Sequence, residues 1–205
     1  MTATPDEYRT IREKVRTESK VQGSKFIGTA IPISTKEHAE DCIAGLRKQF
    51  HDATHSCYAY RIGLDGNQFR FNDDGEPAGT AGKPILAAID KLAFTDVCVV
   101  VTRYFGGTKL GVGGLIRAYG DAARQALGSA EVLTKYLLET LHVTFPHSRI
   151  SDVMHVTSRL GARIVDTTYD EEVHLILEIR KSKTIELQLQ LVSHTSGNVA
   201  IKVVP

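Results

Sequence analysis

The chain of 205 residues has no tryptophan, two methionines and three cysteines. Cys42, Cys57 and Cys98 are odd in number, lie far apart and form no CxxC pair, which argues against a disulfide framework and fits a reducing compartment. No stretch approaches the roughly 18 continuous apolar residues of an ordinary transmembrane helix, so no membrane partner is expected. Met1 to Ile11 has no apolar core of the kind a secretory signal needs, and the cytoplasm is the expected location. A large excess of charge is also missing. A formal net charge of +1 and a pI near 7.8 exclude a general polycationic coat for nucleic acid, since such domains usually exceed about pI 9. Any electrostatic partner must therefore meet a local patch. With 42% hydrophobic and 24% charged residues, the chain is composed like a globular protein long enough for two domains.

The apolar pattern gives the elements. Ser24 to Ile33 reads as a strand, after which Ser34 or Thr35 caps a helix whose apolar face is Ala39, Cys42, Ile43, Leu46 and Phe50. His55 to Ile62 and Gln68 to Phe71 form a hairpin around Gly63-Leu-Asp-Gly-Asn67. Pro84 suits the first turn of a helix that buries Ile85, Ile89 and Leu92. Val97 to Val101 is a central strand, and a glycine-rich loop from Gly106 to Gly114 leads to a helix with Leu115, Ala118, Tyr119, Ala122 and Ala126 inward. The pattern weakens near Gly128, and a domain boundary is expected between residues 129 and 135. Beyond it, Leu137 to Phe145, Arg149 to Leu160, Arg163 to Tyr169 and Val173 to Ile179 read strand, helix, strand, strand. The alternation of Ile185, Leu187, Leu189 and Leu191 argues for a strand, yet Ile185, Leu189 and Val192 also fit a helical face. A helix there, followed by a strand from Asn198 to Val204, completes the ferredoxin-like βαββαβ order.

The most informative segment is Arg103-Tyr-Phe-Gly-Gly-Thr-Lys-Leu-Gly-Val-Gly-Gly-Leu-Ile-Arg117. Gly106, Gly107, Gly111, Gly113 and Gly114 allow backbone N–H groups to converge at a helix start, which suits phosphate. Arg103, Lys109 and Arg117 supply cations around the loop, and Lys83 assists from the neighbouring helix start. Between Gly82 and Leu127, six Lys and Arg face three Asp and Glu, so the positive excess gathers here. The segment matches neither the Walker nor the dinucleotide fingerprint. The alternative is a tight connection in which Arg117 pairs with Asp121 at i+4.

Other candidates for chemistry are weaker. Asp73, Asp74 and Glu76 form an acidic loop of unassigned role, whose carboxylates are expected to accept backbone N–H bonds rather than hold a metal; as an EF-hand it places Arg70 at position 1 and Ala81 at position 12. His51, His55 and Cys57 lack the spacing and the fourth ligand of a zinc site. No set of residues reads as catalytic, and neither metal nor cofactor is expected.

Ser24-Lys-Phe-Ile27, His51-Asp-Ala-Thr-His-Ser-Cys-Tyr-Ala-Tyr60, Asp73-Asp-Gly-Glu-Pro-Ala-Gly-Thr-Ala-Gly82 and Val101 to Tyr119 together resemble the IMPACT family, called YigZ-like in bacteria. The resemblance implies an α+β protein. Residues 1–134 would form an IMPACT-type domain with the ribosomal protein S5 domain 2 fold, a sheet covered on one face by helices. Residues 135–205 would form a ferredoxin-like domain resembling domain V of elongation factor G. It also implies RNA, the ribosome or a protein of the translation machinery as partner. Eukaryotic relatives regulate translation by interfering with a kinase of initiation factor 2, largely through an extra N-terminal RWD domain for which nothing before Ser24 is long enough. The expected function is therefore a non-enzymatic RNA- or ribosome-associated protein. An enzyme acting on a phosphorylated small molecule and a protein-binding regulator are the alternatives. Small-molecule kinases that share the first domain's fold need a Ser/Thr-rich loop, and here the glycine loop offers only Thr108.

Overall fold

The structure, a computed structural model, describes residues 6–64 and 68–204. It divides into two units, Tyr8–Lys135 and Tyr136–Pro205 with Met1–Glu7. In chain order, β1 (Glu7–Ile11) pairs with β7 (Val132–Tyr136), and between them lie the elements of the first unit. These are β2 (Val15–Val21), β3 (Ser24–Pro32), α1 (Lys36–Gln49), β4 (His55–Ile62), β5 (Gln68–Asn72), α2 (Gly82–Lys91), β6 (Val97–Tyr104) and α3 (Gly111–Gly128). The strands form one antiparallel sheet in the order β2-β3-β6-β4-β5. β6 is central, as its unbroken apolar run requires, and Val97 to Val101 are fully buried.

The sheet is apolar on both sides. Val97, Val99 and Val101 pack with Ile85, Ile89, Leu115 and Tyr119 of α2 and α3, whereas Cys98 and Val100 pack with Ala39, Ile43 and Leu46 of α1. A sheet covered on one face alone was expected; α1 instead covers the other, because residues of both parities along β4 and β6 are apolar. Thr35 caps α1 by accepting from the His38 N–H at 3.2 Å. Leu92, expected on the buried face of α2, is the half-buried residue that ends it. Strands β4 and β5 pair as the expected hairpin, although residues 65–67 of its turn lie outside the described residues.

Strands β1, β2 and β7 were not anticipated. The β2–β3 hairpin closes on Gln22 and Gly23, both at positive φ (46° and 83°), the mark of a two-residue primed turn. This turn sets the height of the loop after β6. A Cβ on Gly106 would stand 1.9 Å from the Gly23 carbonyl carbon, so the two backbones touch where only glycine fits.

The second unit contains β8 (Leu138–Phe145), α4 (Ile150–Leu160), β9 (Arg163–Tyr169), β10 (Val173–Arg180), α5 (Thr184–His194) and β11 (Ala200–Val204). Its sheet order, β11-β8-β10-β9, is antiparallel throughout, the ferredoxin-like arrangement. Residues 185–192 are helical, but the buried face differs from the one expected. Leu187 and Leu191, one turn apart, enter the core, while Ile185 and Leu189 are 71% and 67% exposed. Asp6 completes this unit from the other end of the sequence. Its buried carboxylate accepts from Arg180 Nη2 at 3.1 Å, from Ser182 Oγ at 2.7 Å and from the Ser182 N–H at 3.0 Å. The Arg180 bond, joined by those from Ser182, outweighs burial and holds the Asp6 carboxyl well below the usual range.

Two outcomes follow from these contacts. Asp6→Asn should destabilise the second unit by about 1–3 kcal/mol, read as faster amide exchange in β10 and α5. Because the folded-state pKa is depressed, this contribution is present at neutral pH and is lost as pH falls below the ordinary aspartate value of about 4; the variant should lack that part of the acid sensitivity. Gly106→Ala should lower the melting temperature of the first unit, since a methyl group against Gly23 forces a backbone shift costing about 1–3 kcal/mol. An unshifted melting curve would show that the loop yields freely.

Candidate functional site

The site begins with a carboxylate and a guanidinium that the fold buries together. Arg103, near the end of β6, is 4% exposed, and its Nη1 donates to Glu76 Oε1 at 2.6 Å. The same oxygen accepts from the Tyr119 hydroxyl of α3 at 2.7 Å, and Arg103 Nη2 donates to Ser24 Oγ at 3.3 Å. The guanidinium carbon lies 5.6 Å from the centre of the Phe26 ring and 5.3 Å from that of Phe105. Arg103 Nε is buried with no hydrogen-bond partner among the described residues. Arg103 was expected to supply a cation beside the glycine loop; Glu76 pairs with it here, because a charge so far from water needs a partner.

The acidic loop is held by its own carboxylates. Asp73 accepts from the N–H groups of Gly79, Ala81 and Gly82 at 2.8, 3.0 and 2.8 Å, which caps the start of α2. Burial opposes ionisation of Asp73, but these bonds, with Lys83 nearby, win and keep its carboxyl below the usual range. Asp74 accepts from the Ser56 N–H at 2.6 Å and from Arg47 at 2.5 Å. Among the described residues, no three His, Cys, Asp or Glu side chains converge on a point that would hold a metal ion. His55 Nδ1 instead lies 2.8 Å from the Asp74 carbonyl, and Cys57 Sγ donates to the Asp73 carbonyl at 3.0 Å. Burial, reinforced by Glu76 and Asp74, pushes the Cys57 thiol up to about 12, so it stays protonated and is a poor nucleophile.

Above the buried pair opens a cavity of about 450 Å3. Thr54, His55, Glu76 and Arg103 line it, together with Phe105, Lys109, Leu110 and the first residues of α3, Gly111 and Val112. The expected loop is shorter than the glycine run. α3 starts at Gly111, so Gly113 and Gly114 belong to its first turn, where burial of the following apolar face outweighs the poor helix propensity of glycine. Gly107 and Gly111 take positive φ, 87° and 70°. No side chain caps α3, which leaves its first N–H groups to other partners.

The candidate cations separate. Lys109 is exposed at the cavity with no ion pair among the described residues, and Arg103 lies beneath. Arg117 lies beside Gly113 outside the lining, and Lys83 sits on α2 beside Gly79 and Asp73. The Arg117–Asp121 pair of the alternative reading does not form; Asp121 pairs with Arg124. Phe105 went unrecognised although it stands within the glycine segment; the residue is 47% exposed, and its N–H donates to Thr54 Oγ1 at 3.0 Å.

Comparison with known proteins places these features in a family. Residues 22–127 match the Impact N-terminal domain, and residues 143–198 match a domain of unknown function, DUF1949. The chain is 34% identical over 195 residues to IMPACT family member YvyE of Bacillus subtilis, covering 95% of this chain and 90% of the relative. It is 30% identical over 184 residues to IMPACT family member YigZ of Escherichia coli, covering 89% and 90%. A crystal structure of a hypothetical protein superposes with a TM-score of 0.69 at 28% identity, covering 98% of both chains. With one family domain spanning the cavity and every residue that lines it, and with relatives of matching length, the chain belongs to the IMPACT family.

Proposed function

We propose that this protein is a non-enzymatic, RNA-binding member of its family, associated with translation, and that the cavity at the start of α3 takes an unstacked nucleotide. The observation that carries the reading is the juxtaposition of three features at one cavity. The uncapped α3 N-terminus offers N–H donors and a partial positive charge to a phosphate. Lys109 adds a full charge with no protein partner among the described residues. Phe105 offers a ring backed by the Arg103 guanidinium, the flat surface on which single-stranded bases stack. Sequence-tolerant stacking beside a phosphate site fits a single strand better than a duplex, whose bases are already stacked.

The enzymatic alternative finds less support. Thr108 is not among the residues that line the cavity, and the Cys57 thiol is protonated and engaged with Asp73.

Lys109→Ala should weaken binding to single-stranded RNA with an unchanged melting temperature, and should lower the slope of log affinity against log salt by about 0.7. Phe105→Ala should cost about 1–3 kcal/mol of binding through lost stacking, with little change in the salt slope. Unaltered RNA affinity in both variants would remove the proposal. Arg103→Ala serves as the contrast: it leaves Glu76 buried and unpaired, and should destabilise the first unit by about 3–5 kcal/mol, seen first as a lower melting temperature.

A further inference from the structure

Two neighbours in the cavity wall, His55 and Glu76, offer hydrogen-bond acceptors. The Asp74 carbonyl can only accept, so His55 Nδ1, 2.8 Å away, carries the proton. In the neutral ring the other nitrogen, Nε2, then presents a lone pair, 3.9 Å from Glu76 Oε1. The bonds from Arg103 and Tyr119 both fall on Oε1, and Oε2 of Glu76 accepts none among the described residues. The Glu76 side chain is 4% exposed, and both residues line the cavity. The wall thus offers two adjacent acceptors, one of them a buried carboxylate.

An ionised phosphate accepts hydrogen bonds and finds no match at these two acceptors; the donors that suit it are Lys109 and the N–H groups at the start of α3. What two neighbouring acceptors suit is a pair of neighbouring hydroxyl donors. We propose that Glu76 and His55 bind the 2′,3′-diol of a ribonucleotide, Glu76 through Oε2 and His55 through Nε2; this assignment rests on the nucleotide reading of the cavity given above. Inside an RNA strand the 3′ oxygen is esterified, so both hydroxyls are free at the 3′ end, as they are in a free 5′-mononucleotide. The cavity therefore selects a terminal ribonucleotide, with its phosphate at Lys109 and its base at Phe105. Deoxyribose, lacking the 2′ hydroxyl, leaves an acceptor unmatched, which is how such a site separates RNA from DNA.

The test uses the full chain and four probes, with affinities read by fluorescence anisotropy. Three are the same short single-stranded RNA ending in a free diol, in a 2′-deoxy nucleotide or in a 3′-phosphate; the fourth is adenosine 5′-monophosphate as competitor. The diol-ended RNA should bind about tenfold more tightly than either modified RNA, the loss expected for one hydrogen bond to a charged group. His55→Ala should lower the affinity of the diol-ended RNA and narrow its advantage over the deoxy-ended one. Glu76→Gln should do the same if it folds, and His55→Ala, altering a partly exposed side chain, decides the matter if it does not. Displacement by adenosine 5′-monophosphate would support a free nucleotide as the source of the diol; diol preference without displacement would support the RNA end. Equal affinity for all three RNA ends, with Lys109 still required, would overturn the diol assignment and leave the nucleotide-binding reading standing. Failure of every probe to bind would overturn both.

Discussion

The Arg103–Glu76 pair is the contact on which the cavity end of the first unit depends. A buried ion pair is a weak source of net stability, because desolvation offsets most of its attraction, yet it is costly to break. Its value here is positional. Glu76 comes from the acidic loop, Arg103 from the central strand, Ser24 from the end of the β2–β3 hairpin and Tyr119 from α3. One carboxylate oxygen and one guanidinium therefore fix four segments, and the cavity occupies the space above them. The same guanidinium supports Phe105 from beneath, so an exposed aromatic ring is held in place by a charge that has no other role at the surface.

The acidic loop shows why adjacent carboxylates in a sequence need not act together. Asp73, Asp74 and Glu76 are close in the chain, but each meets a different set of donors. Asp73 closes the start of α2, Asp74 binds the β4 backbone and Arg47, and Glu76 points into the core. Gly75, at a φ of 87°, turns the chain between the second and the third. A metal would need these oxygens to face one point, and backbone N–H groups draw them apart instead.

The sequence carried the fold more plainly than the site. β6, the inward face of α3 and the βαββαβ order were legible because each rests on apolar periodicity, which burial enforces directly. β2 was obscured by its position at a sheet edge: Val15, Thr17, Ser19 and Val21 alternate correctly, but only half-bury, and the intervening residues are polar. In α5, Ile185 and Leu189 fit a helical face as well as Leu187 and Leu191 do, and only packing against β8 and β10 chooses between them. The site was half legible. The glycine segment marks the loop and Lys109, while the partner that neutralises Arg103 lies 27 residues earlier, at a separation no local pattern encodes. Phe105 was hidden by its neighbours, since an aromatic residue beside a strand is ordinarily core.

Asp6 has a consequence for the order in which the molecule is made. The unit it completes is otherwise built from residues after Lys135, and its partners Arg180 and Ser182 stand near the other end of the chain. During synthesis the sheet with β6 at its centre has all its strands once the chain has passed residue 104, when neither partner of Asp6 yet exists. Its carboxylate lacks both of these donors until the chain has passed residue 182. Closure of the second unit is thus tied to residues on both sides of the first unit in sequence, and a chain halted before Arg180 leaves the Asp6 carboxylate without its partners.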